Sequence, residues 1–187
     1  MAATKIMIIR HAEKPEGQDE GPEGVSLEGT PDPEELIVRG WQRAGALARF
    51  FAPKDGHFVD AHLAIPQVIF ASQVAHHSRS LRPQHTVKLL ADLLQKKIVL
   101  DYAKGDEEKL AAAAIAANGT VLISWEHEKI PEIGQLITGN DKTCPETWDG
   151  SRFDLVWVFD RPSGAADWTF AAVAQMLLSG DRADTSI

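Results

Sequence analysis

Cysteine is nearly absent from this chain of 187 residues, which contains Cys144 and no other cysteine. An internal disulfide therefore cannot form, which favours a reducing compartment, and we expect a cytoplasmic protein. Long hydrophobic runs are also missing, because no apolar stretch reaches the roughly 18 residues of a membrane-spanning helix. The first apolar run begins within a few residues of Met1, so we expect neither a signal peptide nor a membrane partner.

Basic residues are scarce as well. Lysine and arginine number 19 against 27 aspartates and glutamates, which gives a formal net charge of -8. This balance argues against nucleic acid and anionic membranes as partners. An anionic small substrate would therefore need a local basic cleft. The length and the hydrophobic fraction of 44% fit one soluble domain over residues 1–187.

Hydrophobic periodicity predicts alternating strands and helices. Short apolar runs predict strands over residues 5–9, 66–71, 97–101, 120–124 and 154–160. Helical spacing with start and stop signals predicts helices over residues 34–51, 78–95, 106–117 and 130–138. Alternation at Trp168, Phe170 and Ala172 predicts a hairpin partner strand, although residues 171–178 could equally form a short helix. Residues 16–33 are acidic and rich in Gly and Pro, and we expect a long loop there.

The alternation predicts an α/β fold with three layers, α/β/α, and a mostly parallel sheet with one antiparallel strand at its edge. In such sheets, ligands bind beyond the carboxyl ends of the strands. The first predicted strand delivers Arg10 and His11 to that edge. The second delivers Ser72 and then the loop to Arg82, and the fourth delivers His127. We therefore expect these side chains to converge.

Two arginines and two histidines at one edge suit phosphoryl chemistry. The guanidinium groups of Arg10 and Arg82 can hold phosphate oxygens, and His127 can share the charge of the transition state without a metal ion. A neutral imidazole at His11 can attack phosphorus and form a phosphohistidine. A carboxylic acid is then needed to protonate the leaving oxygen and later to activate water.

These residues resemble the motifs of the histidine phosphatase superfamily, also called the phosphoglycerate mutase-like superfamily. Arg10-His11 resembles its Arg-His-Gly signature, with Ala12 in place of Gly. Leu36 with Arg39-Gly40 and Gln42 resembles its helix start Leu-Thr-x-x-Gly-x-x-Gln, and Ser72 with residues 82–86 resembles its Ser-x-x-x-Arg-x-x-x-Thr segment. Residues 121–124 with His127 resemble the strand before its second histidine, and residues 153–159 resemble its last core strand. The interval between Ser72 and Arg82 is longer than usual for the family.

The resemblance implies a phosphoglycerate mutase-like fold and a phosphohistidine intermediate. It implies that His11 is the nucleophile that accepts the phosphoryl group. It also implies that Arg10, Arg82 and His127 complete the phosphate pocket. The small substrate would be a phosphorylated compound, and the resemblance implies no cofactor.

The proton donor is less well defined by the sequence. The Trp-Glu-Gly pattern that carries the acid in many members of the family is missing. The acid phosphatase branch has Asp directly after its second histidine, and Glu128 holds that place here, so Glu128 is the first candidate. Glu13, two residues after His11, is the second. Ser72 and Lys14 are candidates for binding the substrate, with a structural serine and a surface lysine as the alternatives.

A metal site is not expected. His76, His77 and His85 are close in sequence, but adjacent residues diverge and do not readily chelate one ion. A nucleotide-binding fold of the Rossmann type is also excluded, because the turn after the first strand has no Gly-x-Gly-x-x-Gly.

The leading functional hypothesis is a metal-independent phosphomonoesterase of the histidine acid phosphatase type. Three alternatives remain open: a phosphoglycerate mutase-like phosphotransferase, a phosphohistidine phosphatase acting on proteins, and a non-catalytic phosphate-binding module. The chain lacks the longer insertions of the mutase branch, and the long loop over residues 16–33 argues mildly against protein substrates. The sequence does not predict the natural substrate or the oligomeric state.

Overall fold

A computed structural model of the chain describes residues 2–17 and 21–186. The described residues form one six-stranded sheet with two helices on each face. The strands are β1 (Lys5–Arg10), β2 (Val68–Ala71), β3 (Ile98–Val99), β4 (Thr120–Trp125), β5 (Leu155–Asp160) and β6 (Thr169–Ala174). The helices are α1 (Val38–Phe51), α2 (Arg82–Leu94), α3 (Glu107–Ala116) and α4 (Ile130–Thr138), with a 3₁₀ turn at His127–Lys129 directly before α4.

The sheet is mixed, with the strand order β3-β2-β4-β1-β5-β6. β1 to β4 run parallel to one another, and β5 pairs antiparallel with both β1 and β6. The prediction of a mostly parallel sheet with one antiparallel strand is therefore confirmed among the described strands. The antiparallel pair of β5 and β6 forms the predicted antiparallel edge of the sheet. Of the two structures predicted after Phe170, the strand is the one that forms.

The helices cover both faces of the sheet, which gives the predicted three layers. Met7 and Ile9 of β1 belong to a core shared with α1 and α2. Ile6 and Ile8, which point the other way, belong to a core shared with α3 and α4. Because both faces of β1 are buried, the strand has no polar side chain between Lys5 and its last residue.

Strand register brings the candidate site residues to one edge. β1 and β4 pair with Arg10 opposite Trp125. The backbone N–H of His11 continues this pairing and donates to the carbonyl oxygen of Trp125 at 3.0 Å. His127 follows Trp125 by two positions, in the 3₁₀ turn. The carboxyl ends of two central, neighbouring strands thus deliver Arg10, His11 and His127 to the same place.

α1 begins at Val38, four residues after the predicted start at residue 34. The preceding backbone is used in contacts with other segments. Ile37 N–H donates to the carbonyl oxygen of Glu13 at 3.2 Å, and the carbonyl oxygen of Leu36 accepts from Val25 N–H at 2.9 Å. These long-range bonds hold residues 36 and 37 in extended backbone, and the helix starts only after them.

α2 begins at Arg82 and not at the predicted residue 78. The residues before it form a tight turn in which Ala75 and Ser78 exchange two backbone hydrogen bonds, of 2.8 and 3.0 Å. β3 is shorter than predicted, with two residues. The other predicted helices and strands agree with the observed ones to within one or two residues at each end.

The predicted loop over residues 16–33 is described from residue 21 onwards, and Gln18, Asp19 and Glu20 lie outside the described residues. Its described part contains no helix or strand beyond an isolated pairing of Val25 with Pro31. Trp41 of α1 holds it by donating from Nε1 to the carbonyl oxygen of Val25 at 2.7 Å. No helix in the described residues is long and apolar enough to cross a membrane.

Two glycines of α1 give a test of how closely this helix approaches the segment after β1. A Cβ at Gly40 would lie 2.4 Å from the carbonyl oxygen of Glu13, whereas a Cβ at Gly45 would meet nothing nearer than a Leu89 methyl group at 4.0 Å. We expect Gly40→Ala to lower the free energy of unfolding by about 1–3 kcal/mol, because two backbones must move apart. Gly45→Ala should raise it by about 0.5–1 kcal/mol through helix propensity. Urea unfolding of both variants measures this, and equal effects would contradict the close approach.

Candidate active site

Arg10 is a buried cation at the end of β1. Its Nη1 donates to the carbonyl oxygen of Gly150, and its Cζ lies 3.6 Å from the centre of the Phe153 ring, over the ring face. Burial lowers the pKa of Arg10 to about 10, so the group is charged at neutral pH. Its Nε is buried and has no hydrogen-bond partner among the described residues. Arg10 is therefore fixed in position by its contacts with Gly150 and Phe153.

His11 is buried directly beside this cation. Its Nδ1 lies 2.8 Å from the carbonyl oxygen of Ala12, so Nδ1 carries the proton and donates to that oxygen. Burial, with a smaller effect from the charges of Arg10 and Arg82, lowers the pKa of His11 to about 3. The imidazole is therefore neutral at pH 7. With the proton on Nδ1, the lone pair of Nε2 is free for attack on an electrophile.

The backbone next to His11 is held by α2. Ala12 N–H donates to the hydroxyl oxygen of Thr86 at 2.8 Å, and that hydroxyl donates to the carbonyl oxygen of Arg82 at 2.7 Å. The spacing between Arg82 and Thr86 thus has a structural reason. One turn of α2 presents a guanidinium to the site and a hydroxyl to the backbone beside His11.

His11, Arg82 and His127 line one pocket of about 190 Å³. Arg82 is held by the carbonyl oxygens of Pro33 at 2.7 Å and Glu35 at 3.3 Å. Arg79, the other arginine of the preceding loop, is exposed and does not line the pocket. The other lining residues are Lys14, Ser78, Ser80, Lys104, Glu126 and Glu128.

His127 is half-buried in this pocket. Burial lowers its pKa, and the charge of Arg10 lowers it further. It therefore carries no proton on its second nitrogen near neutral pH and acts there as a neutral hydrogen-bond donor. The pocket combines the fixed guanidinium group of Arg82 with two neutral imidazoles, whereas Arg10 does not line it and lies in the wall of a larger neighbouring pocket.

The two candidate acids from the sequence, Glu128 and Glu13, are both paired with basic side chains. Glu128 lines the pocket, but its side chain is 65% exposed and pairs with Lys104 at 3.2 Å. The hydrogen bond from Lys104 lowers the pKa of Glu128, which favours the ionised form. Glu13 does not line this pocket. Its carboxylate accepts from Arg43 at 2.8 Å and from Arg39 at 3.1 Å.

A third carboxyl group, Glu126, was missed as the acid by sequence reasoning. It is 9% exposed and lines the same pocket as His11. Burial raises its pKa, which favours the protonated acid. One carboxyl oxygen accepts from the Ser78 hydroxyl at 3.4 Å, and the other is buried without a partner among the described residues. The available signal was its place at the end of a buried strand, directly before His127.

Of the remaining candidates, Lys14 lines the pocket and Ser72 does not. Ser72 follows β2 and is buried, with a hydroxyl that has no partner among the described residues, and it does not line the pocket. Lys14 lines this pocket and a larger neighbouring one. His85 pairs with Glu35 at 2.7 Å, and no three His, Cys, Asp or Glu side chains in residues 2–17 and 21–186 are grouped so as to hold a metal ion.

Comparison with known proteins supports the fold. No protein-family model and no curated protein matches the sequence. Among solved structures, the chain resembles a protein assigned as the phosphohistidine phosphatase SixA from Agrobacterium tumefaciens, with 15% identity and a TM-score of 0.55 over 91% of this chain and 98% of that one. It also resembles a protein assigned as an alpha-ribazole-5'-P phosphatase from Escherichia coli, with 14% identity and a TM-score of 0.51 over 92% and 96%. The likeness to these two structures extends over most of this chain and shows a shared fold.

The low pKa of His11 predicts a pH dependence of stability. An unfolded histidine has a pKa of about 6.5, whereas burial lowers the folded value to about 3. Below pH 6.5 the unfolded chain binds a proton that the folded chain does not, so the free energy of unfolding falls as the pH falls towards 3. His11→Asn removes this contribution. In urea unfolding, the variant should therefore lose less stability on acidification than the unsubstituted protein.

A matched control for this experiment is His57→Asn, because the His57 side chain is 86% exposed. That variant should lose as much stability on acidification as the unsubstituted protein. Equal losses in the protein and in His11→Asn would mean that His11 takes up its proton normally, and would contradict its burial as a neutral base.

Proposed function

We propose that this chain is a metal-independent phosphatase that hydrolyses phosphate monoesters through a phosphohistidine intermediate on His11. The observation that carries the proposal is a neutral, buried His11 that shares one pocket with Arg82, with His127 and with a buried carboxyl group, Glu126, whose pKa is raised. Phosphoryl transfer requires that negative charge be held on the transferring oxygens. The guanidinium groups of Arg10 and Arg82 supply the positive charge that holds these oxygens.

In the first step, Nε2 of His11 forms a bond to phosphorus and the ester P–O bond breaks. The N–H groups of Arg10, Arg82 and His127 hold the phosphoryl oxygens during this transfer. The leaving oxygen departs with the electron pair of the broken bond and takes a proton from a carboxylic acid. The hydrogen bond from Nδ1 to Ala12 stabilises the positive charge that the phosphorylated ring acquires.

In the second step, water attacks phosphorus and the N–P bond breaks. The same carboxyl group, now ionised, accepts the proton of the attacking water, and inorganic phosphate leaves. His11 regains its lone pair on Nε2, and the site returns to its starting protonation. Glu128 and Lys104 at the mouth are partly exposed, so water can enter the pocket. This exposure favours hydrolysis over transfer to a second substrate.

We propose Glu126 as the proton donor, with Glu128 as the alternative that the sequence favours. A donor must hold its proton until the leaving oxygen takes it. Burial keeps Glu126 protonated to a higher pH than an ordinary glutamate, whereas Lys104 favours the ionised form of Glu128. The position of Glu126 between Trp125 and His127 also keeps it within the pocket.

A second candidate function is a phosphohistidine phosphatase acting on proteins. The exposed rim formed by Glu128 and Lys104 would allow the imidazole of another protein to reach the pocket. Turnover of a phosphohistidine-bearing protein, at a rate well above that of small esters, would favour this candidate.

The central test is turnover of p-nitrophenyl phosphate with and without a chelator. We expect turnover that resists the chelator and falls about 10³-fold or more in His11→Ala, because the nucleophile is lost. An alkaline quench followed by mass spectrometry should detect a phosphoryl group on His11. His57→Ala is the control, since His57 is an exposed loop residue. Unchanged turnover in His11→Ala would contradict the proposal, and phosphate binding without any turnover would indicate a binding module.

The proton donor is tested by comparing Glu126→Gln with Glu128→Gln on a phosphate ester with an alkyl leaving group. We expect Glu126→Gln to lower kcat about 10²-fold, because an alkoxide cannot leave readily without a proton. The loss should be smaller with p-nitrophenyl phosphate, whose leaving group needs less help. In the unsubstituted protein, turnover should fall as the pH rises through the raised pKa of Glu126, and Glu126→Gln should remove this fall. A larger loss in Glu128→Gln would make Glu128 the donor.

A further inference from the structure

A second, larger pocket of about 570 Å³ lies beside the phosphate pocket and shares Lys14 with it. Its walls come from α1, the segment before β5, and the segment after β6. Arg10, which directly precedes His11 in the chain, lines this larger pocket. One ligand could therefore place a phosphoryl group at His11 and a second group in this pocket. The volume lies in the range of small-molecule sites, about 300–1,000 Å³.

The exposed side of this larger pocket is mainly cationic. Arg39 and Arg182 have side chains that are 41% and 49% exposed, and Lys14 is half-buried. Lys14 has no hydrogen bond or ion pair to any described residue. Glu16 is the exposed carboxylate of the described lining. A ligand that enters this pocket therefore meets mostly positive charge, in a protein whose net charge is -8.

The other acidic groups of the lining are buried and paired with arginines. Glu13 and Asp181 are buried, and both accept hydrogen bonds from the buried Arg43 at 2.8 Å. Asp154 is buried and accepts from Arg152 at 2.6 Å. These carboxylates neutralise the buried arginines of the lining, and Glu13 also pairs with the exposed Arg39 through its Nε at 3.1 Å.

The two exposed arginines, Arg39 and Arg182, each have N–H groups without a partner among the described residues. Arg39 uses Nε for Glu13 and Nη2 for the carbonyl oxygen of Ser179, at 2.7 Å, and its Nη1 has no partner among the described residues. Arg182 uses Nη2 for Asp149 at 3.2 Å, and its Nη1 likewise has no described partner. Two guanidinium groups with free N–H groups in the lining of one pocket are suited to a carboxylate or a phosphate.

We infer that this pocket binds a second anionic group of the substrate. The natural substrate is then a small phosphomonoester whose leaving group carries a carboxylate or a second phosphate. Ile37 and Phe153 provide an apolar wall for the carbon chain between the two anions. This inference rests on the proposed phosphatase function for its catalytic consequence, but the binding it describes can be measured without turnover.

The kinetic test uses a series of linear phosphate monoesters of increasing chain length. Each ends in a carboxylate, in a second phosphate, or in the uncharged primary amide. At the best length we expect kcat/KM to be about tenfold higher for an anion than for the amide, which corresponds to about 1.4 kcal/mol. Comparing the carboxylate with the phosphate identifies which anion the pocket prefers. The preference should decline as salt is added, because the rim is exposed.

Three arginine variants locate the effect. Arg39→Gln and Arg182→Gln should each reduce the preference for the anion over the amide towards unity. Arg49→Gln is the matched control, because Arg49 is an exposed arginine of the same helix that lines neither pocket, and it should keep the full preference. Equal kcat/KM for anions and amides at every length would overturn the inference even where p-nitrophenyl phosphate is hydrolysed.

A binding measurement separates this inference from the proposed function. Alkyl phosphonates with a terminal carboxylate or amide resist hydrolysis, and their effect on the melting temperature requires no catalysis. The carboxylates should raise the melting temperature more than the amides, and Arg39→Gln and Arg182→Gln should abolish the difference. This result without any ester turnover would uphold the second anion site and reject the phosphatase. Turnover with no difference between phosphonates would do the reverse.

Discussion

The burial of the Arg10 cation is the constraint on which the site depends. An unpaired charge in a protein interior is costly unless polar groups compensate for lost water. Here the carbonyl oxygen of Gly150 and the face of Phe153 compensate in part, and both belong to the segment before β5. That segment is held in turn by Arg152, whose guanidinium binds Asp154 and the carbonyl oxygen of Asp184 near the end of the chain. Asp184 is thus connected to Arg10 through Arg152 and the segment before β5.

A second buried arginine, Arg43, holds the segment that follows β1. Arg43 joins Glu13, two residues after His11, to Asp181 of the segment after β6. A buried ion pair of this kind contributes more to a unique arrangement than to stability. It also explains why Glu13 does not line the pocket of His11, because Arg39 and Arg43 hold its carboxylate. Gly40 allows the close approach that this arrangement needs.

The sequence predicted what depends on local pattern and failed where distant contacts decide. An apolar run that ends in Arg10-His11, and another that ends near His127, were sufficient to place these residues at one sheet edge. Glu126 and Glu128 could not be distinguished, because their burial is set by the 3₁₀ turn and by Lys104, which lies far away in sequence. The start of α1 was predicted too early for the same reason, since backbone bonds to Val25 and Glu13 hold the preceding residues.

Burial acts in opposite directions on the two central groups of the proposed mechanism. Loss of water disfavours any charged form, so it lowers the pKa of His11 and raises that of Glu126. Both groups are therefore driven to their neutral forms, which are the forms that a nucleophile and a general acid need. A bound phosphate adds negative charge and raises both pKa values, which strengthens the hold of Glu126 on its proton. The pKa of His11 begins so far below neutrality that the same charge leaves its lone pair free to attack.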